Sequence, residues 1–176
     1  MNLKKASKFF ALFSLSLAVY AGAFYFAGYR INTTKSIPQG VYKIVSGQAE
    51  KGDYVLFCPP ATAIFAEAKE RGYIGIGFCE GGTGLLMKKI LAAKNDVVTS
   101  GVNGVFVDGE KIINSKPLEA DSHGNKMEIY EVVNLKLNNK QVLLMSDISA
   151  KSFDARYFGV IERSHIKSKI RPVLTW

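Results

Sequence analysis

An uncharged apolar run near the N-terminus constrains this chain more than any other feature. It extends from Phe9 to Tyr29 and is 21 residues long. A helix of that length, rising about 1.5 Å per residue, spans about 30 Å, the thickness of the hydrocarbon layer of a membrane. The sequence therefore predicts one transmembrane helix. The rest of the 176-residue chain is expected to form a single domain, because two domains of ordinary size do not fit.

The charges beside this run predict how the chain crosses the membrane. Three lysines precede it: Lys4, Lys5 and Lys8. Because positive residues beside a membrane helix favour the cytoplasmic side, we expect the chain after Arg30 to lie outside the cytoplasm. A cleavable signal peptide is the alternative, since Ala21-Gly22-Ala23 is similar to a processing site, but the apolar run continues beyond it. We predict a cytoplasmic tip and retained anchor at residues 1–30 and one extracytoplasmic domain at residues 31–176.

The remaining composition excludes several function classes. Although the net charge is +8, the basic residues after the apolar run are scattered and no aromatic residues interleave with them, so no nucleic-acid partner is predicted. Neither a metal nor another cofactor is predicted, because the two cysteines and two histidines lack metal-ligand spacing. Cys58 and Cys79 are expected to form one disulfide in an oxidising compartment, and two separate buried thiols are the alternative.

Short apolar stretches separated by turn residues follow the predicted anchor. They lie at residues 40–45, 53–58, 84–91, 95–100, 103–109, 127–133, 141–146 and 157–162. Because Val, Ile, Tyr and Phe dominate these stretches, they predict a mainly β domain. One helix is expected near residues 61–71, where alanines and charged helix formers end before Gly72. The polar segment Lys111–Lys126 is expected to be an exposed excursion.

The chain offers few bases that could activate a nucleophile. His123 lies in a polar segment and His165 in a basic one, so we expect both at the surface rather than in a catalytic triad. Lysine is the other option, and Lys88 and Lys89 should point to opposite faces of a strand. One of them would then face inward or lie at the edge of the sheet. For a lysine that faces inward, burial lowers the pKa enough to supply a neutral amine. The alternative is that both reach solvent.

Three motifs occur in an informative order. The first, Thr34–Tyr42, reads TKSIPQGVY, and the second, Met87–Val98, reads MKKILAAKNDVV. The third joins Ser146-Asp147 to SFDARYFG at Ser152–Gly159. Together they resemble the nucleophile, general-base and closing segments of the signal peptidase family of serine-lysine peptidases, and most of all the TraF-type peptidases of conjugative plasmids. The resemblance implies a signal-peptidase-like catalytic β domain behind one N-terminal transmembrane helix.

The resemblance also implies roles for individual residues. Ser36 would be the nucleophile and Lys88, rather than Lys89, the general base. Ser152 would orient the amine of Lys88 through its hydroxyl. Asp154, regarded as functionally required in TraF-type members, would form an ion pair with Arg156 beneath the site. The alternative for this pair is a purely structural salt bridge in a turn.

For the oxyanion, the resemblance implies two donors, the backbone N–H of Ser36 and the hydroxyl of Thr34. The expected reaction is cleavage of a pilin precursor at the periplasmic face of the bacterial inner membrane. The product would be released by hydrolysis or by cyclisation. Type IV secretion components of the conjugative system are the other expected partners. Ile37 stands where leader peptidases have Met, and this departure favours a dedicated substrate. A general signal peptidase and a non-catalytic pilus-assembly scaffold are the alternatives.

Overall fold

A long N-terminal helix precedes the β domain. The computed structural model describes residues 3–176, and for residues 3–6 only the backbone, so the side chains of Lys4 and Lys5 in the predicted cytoplasmic tip lie outside the description. Helix α1 covers Leu3–Phe26, and its part from Ser7 to Phe26 is long and apolar enough to cross a membrane. The helix ends at Phe26, three residues before the end of the apolar run at Tyr29, because Gly28 adopts a φ of +86° and turns the chain.

Within residues 3–176, eleven strands form two antiparallel sheets. The strands are β1 (Tyr29–Asn32), β2 (Gly40–Val45), β3 (Tyr54–Phe57), β4 (Leu86–Ala92), β5 (Val97–Gly101), β6 (Gly104–Val107), β7 (Glu110–Lys111), β8 (Val132–Lys136), β9 (Gln141–Met145), β10 (Ile161–Glu162) and β11 (Ile166–Thr175). The larger sheet has the order β1-β2-β11-β3-β4-β9-β10 and the smaller one the order β7-β6-β5-β8. The predicted mainly β class is therefore confirmed.

Two short α-helices and two 3₁₀ turns complete the domain. Helix α2 covers Ala63–Glu70 and buries Phe65 and Ala68, which confirms the helix expected near residues 61–71 with shorter ends. Helix α3 is a single turn at Ala155–Phe158, and the 3₁₀ turns lie at Glu80–Gly82 and Arg163–His165.

Strand β9 lies between two apolar cores. Val142 and Leu144 pack on one face, in the core that also holds Phe65 of α2. Leu143 and Met145 pack on the other face, against strands of the smaller sheet. Because side chains alternate across a strand, burial of both faces requires the continuous apolar sequence that β9 has. The strand therefore joins the two sheets into one domain.

Several expected elements differ in the structure. Of the stretch at residues 127–133, only its end belongs to a strand, β8, and the stretch at residues 157–162 begins in α3. Strands β1 and β11 were not expected, although β11 is ten residues long. Most of the segment Lys111–Lys126 is exposed, as expected, but it is held down where Ser115 is buried and bonds to Val105.

Candidate active site

Ser36 lies in the turn between β1 and β2, and a buried asparagine shapes this turn. The side-chain nitrogen of Asn32 donates to the carbonyl oxygens of Thr34 (2.9 Å), Ile37 (3.0 Å) and Pro38 (3.1 Å). The amide oxygen of Asn32 accepts from the backbone N–H of Thr34 at 3.1 Å and from its hydroxyl at 2.9 Å. Motif comparison missed Asn32, although asparagine before a polar segment is typical of a side chain that bonds nearby backbone.

Lys88 approaches Ser36 from β4, an interior strand of the larger sheet that lies between β3 and β9. The Lys88 side chain is buried at 3% exposure, and its ammonium donates to the hydroxyl of Ser152 at 2.7 Å. The Ser152 hydroxyl in turn donates to Ser36 Oγ at 3.2 Å. In the part of the chain that the structure describes, Lys88 and Ser36 are thus linked through Ser152, without a direct hydrogen bond. Three segments distant in sequence bring these polar groups together.

The surroundings of Lys88 favour its neutral form. Burial lowers the pKa of Lys88 from 10.5 to about 8, while the nearby charge of Asp154 raises this pKa and that of Arg156 lowers it. Lys89 points to the opposite face and donates to the carboxylate of Asp147 at 2.7 Å, a hydrogen bond that raises the pKa of Lys89. The pKa is therefore lowered for Lys88 and raised for Lys89, and a general base that works near neutral pH requires the lowered pKa.

Asp154 and Arg156 form an ion pair with no exposed surface. Arg156 donates through Nε and Nη2 to both carboxylate oxygens of Asp154, at 2.8 and 2.7 Å. Asp154 also accepts from the backbone N–H of Ser146 at 3.0 Å. The guanidinium further donates to four carbonyl oxygens, those of Asn114, Ser149, Ala150 and Ser152. Because every charged atom is hydrogen-bonded, the pair is well suited to hold the loop that carries Ser152.

Of the two predicted oxyanion donors, one is free to bind a substrate oxygen and the other is already hydrogen-bonded. Across residues 3–176, the backbone N–H of Ser36 donates to no protein acceptor, so it is available to a substrate oxygen. The Thr34 hydroxyl donates its one proton to Asn32 and has to rotate before it can bind an oxyanion.

Two clefts meet at Ser36. The large cleft, about 560 Å³, lies between the nucleophile turn and the 118–127 segment, and the small cleft, about 190 Å³, lies between β1 and β4. Thr34, Ser36, Tyr73 and Phe153 line both of them. A peptide lying across Ser36 could therefore place one flank of its scissile bond in each cleft.

The disulfide supports the wall of these clefts. Cys58 and Cys79 are joined, with their Cα atoms 5.4 Å apart, which confirms the predicted bridge over the alternative of two thiols. The bridged loop contains α2 and Tyr73, which lines both clefts. His123 is exposed and His165 half-buried, and neither lines either cleft.

In this β domain a buried lysine and two serine hydroxyls meet at a peptide-sized cleft, an arrangement that a serine-lysine peptidase would require. The chain itself is a member of the signal peptidase family, because the family model described as signal peptidase, peptidase S26, matches residues 4–176. The expected family resemblance is thus confirmed.

The relatives of this chain share a conjugation-related name. This chain is 51% identical over 174 residues to a plasmid transfer protein TraF of Escherichia coli, and the alignment covers 99% of this chain and 98% of that protein. It is 37% identical over 156 residues to a probable conjugal transfer protein TraF of Sinorhizobium fredii, covering 88% and 81%. A signal peptidase I from Enterococcus faecalis aligns with a TM-score of 0.39 and 12% identity, over 70% of this chain and 97% of that structure.

Proposed function

We propose that this protein is a membrane-anchored serine endopeptidase that cleaves a pilin precursor for conjugative transfer. The observation that carries the proposal is the buried Lys88, linked through Ser152 to a Ser36 that opens onto two clefts. Family membership supports peptide cleavage, and the names of the TraF relatives support the conjugative setting.

In this mechanism, the Ser36 side chain first turns toward Lys88, and the neutral amine of Lys88 then removes the proton of Ser36 as Ser36 Oγ bonds to the scissile carbonyl carbon. The backbone N–H of Ser36, joined by the Thr34 hydroxyl after it rotates, stabilises the oxyanion. When the tetrahedral intermediate collapses, the carbon–nitrogen bond breaks and Lys88 returns the proton to the departing amine. Attack on the acyl-enzyme by water gives hydrolysis, and attack by the substrate's own N-terminal amine gives a cyclic product.

In this proposal, Ser152, Asp154 and Arg156 position the reacting groups without bonding to the substrate. The Ser152 hydroxyl holds the Lys88 amine by the hydrogen bond at 2.7 Å and is close enough to Ser36 to aim the proton transfer. In our proposal Asp154 acts with Arg156 as a positioning pair, because its carboxylate bonds to the guanidinium and to backbone N–H groups.

The proposed location follows from α1 and the disulfide. Residues 1–30 would remain as a single-pass anchor in the inner membrane, with residues 31–176 as the catalytic domain in the periplasm. An exposed apolar helix of this length is stable in lipid. An oxidising periplasm would maintain the bridge between Cys58 and Cys79. The partners would be the pilin precursor and type IV secretion components.

The test is processing of the pilin precursor of the same transfer system by full-length protein in membranes. We expect Ser36→Ala and Lys88→Ala to lose cleavage while the matched control Lys89→Ala retains it, with circular dichroism showing that all three remain folded. Cleavage by folded Ser36→Ala would leave the pilus-assembly scaffold as the better account. Equal cleavage of unrelated secretory precursors by wild type would favour a general signal peptidase.

A further inference from the structure

Two lysines from separate loops line the large cleft beside the reacting groups. Lys35 directly precedes Ser36, and Lys151 directly precedes Ser152. Both lysines are exposed and both line the large cleft. Since the hydroxyls of Ser36 and Ser152 are 3.2 Å apart, the two lysine backbones enter the cleft next to the same point.

Lys35 and Lys151 form no salt bridge within the part of the chain that the structure describes. Among the described residues, neither ammonium lies within 4.0 Å of a carboxylate. Asp121 is the one acidic residue of the cleft lining, and its oxygens already accept from the Tyr73 hydroxyl, the backbone N–H groups of His123 and Asn125, and the Asn125 side chain. Two cations therefore face the cleft against one anion, Asp121, which is hydrogen-bonded elsewhere and forms a salt bridge with neither lysine.

The small cleft differs in charge. Its lining includes the apolar Ile31, Leu85 and Met87, and its one ionisable ammonium is the buried Lys88. The two flanks of a peptide that crosses Ser36 would thus meet unlike surroundings. One flank would lie against apolar side chains, and the other beside two exposed ammonium groups.

We propose that Lys35 and Lys151 select a carboxylate in the substrate flank that occupies the large cleft, within about three residues of the scissile bond. The inference rests on the proposed peptidase function and adds a substrate requirement to it. Exposed ion pairs are weak, so each lysine should contribute about 2- to 5-fold in kcat/KM. The contribution should fall as salt rises, since the pairs are open to solvent.

The experiment uses the full chain in detergent and fluorogenic peptides that span the scissile bond. Each of the three positions on either side carries Glu or Gln in turn, and the Glu-over-Gln ratio of kcat/KM is measured. Wild type should prefer Glu by about 4- to 20-fold on one side only, mainly through KM. The double variant Lys35→Gln/Lys151→Gln should reduce this ratio below about 2-fold, while Lys140→Gln, at an exposed lysine outside the cleft, should preserve it.

The possible results distinguish failure of the lysine proposal from failure of the proposed peptidase function. If wild type cleaves the peptides but treats Glu and Gln alike, or if the double variant keeps the preference, the lysine proposal is wrong and the peptidase remains. If Ser36→Ala cleaves as fast as wild type, both proposals fail. A preference on both sides of the bond, or one unchanged at high salt, also overturns the pairing with Lys35 and Lys151.

Discussion

Replacing Lys88 with methionine should stabilise the protein while abolishing cleavage. The Lys88 side chain is 3% exposed, and burial lowers its pKa from 10.5 to about 8. At about 1.36 kcal/mol per pH unit, holding this ammonium protonated in the folded state costs about 3 kcal/mol. Methionine removes that cost with similar volume but also removes the hydrogen bond to Ser152, worth about 1 kcal/mol. The free energy of unfolding at pH 7 should therefore rise by about 2 kcal/mol.

The pH dependence of this gain is the sharper test. Below pH 8, Lys88 is protonated in both the folded and the unfolded chain, so the cost is fully present. Between pH 8 and 10.5 the unfolded chain binds more protons, so the stability of wild type rises with pH. The advantage of Lys88→Met should shrink through this window and, above it, give way to a disadvantage of about 1 kcal/mol from the lost hydrogen bond to Ser152.

The assay is urea unfolding of the full chain in detergent micelles, followed by circular dichroism from pH 6 to above pH 10.5. Lys89→Met is the matched control. The hydrogen bond with Asp147 raises the pKa of Lys89, so this ion pair stabilises the folded state at neutral pH and its loss should destabilise. A Lys88→Met variant less stable than wild type at pH 7, or a gain that does not change with pH, would refute the reasoning.

Four further outcomes are expected. The rate of peptide cleavage should rise with pH around a midpoint near 8, because neutral Lys88 is the base, as a pH profile of kcat/KM would show. Asn32→Asp replaces three donor bonds with repulsion between oxygens, so kcat should fall at least 10-fold, together with labelling of Ser36 by a serine-directed phosphonate. Arg156→Lys cannot make the same set of bonds and should lower the free energy of unfolding by about 3 kcal/mol or more in urea titration. Cys58→Ser should lower it by about 3 kcal/mol, and reductant should do the same to wild type in a thermal scan.

Each of these has a contradicting result. A pH profile that stays flat between pH 6 and 9 would remove Lys88 as the base. Unchanged phosphonate labelling in Asn32→Asp would mean that the turn around Ser36 holds without its amide donors. Near-wild-type unfolding of Arg156→Lys, or of reduced protein, would show that those bonds do not bear on stability.

The local pattern of apolar and turn residues was sufficient to predict many of the strands. Strand β9 reads as one apolar run and is buried on both faces, and Asp108-Gly109 forms the tight turn that its sequence favours, with both residues at positive φ. Strand β11 escaped prediction because basic residues alternate through it and Pro172 interrupts its pattern at a register shift. Strand β1 was hidden because its first residue, Tyr29, also continues the apolar composition of the anchor.

The site was predictable only in part, for a physical reason. Ser36, Lys88 and Ser152 stand in recognisable motifs, and the structure brings them together as that pattern predicted. Asn32 and the carbonyl oxygens around Arg156 act through geometry that depends on how distant segments meet. No short motif records that Arg156 reaches Asn114, because the contact exists only after the sheets have packed.

The short link between α1 and β1 limits how far the nucleophile can lie from the membrane. Helix α1 ends at Phe26, and Ser36 follows ten residues later in the chain. At about 3.5 Å per residue, the nucleophile can lie no more than about 35 Å from the end of the helix. With α1 in the bilayer, bonds farther than that from the lipid surface are out of reach even when their sequence fits. Distance from the membrane would then select substrates before side-chain recognition begins.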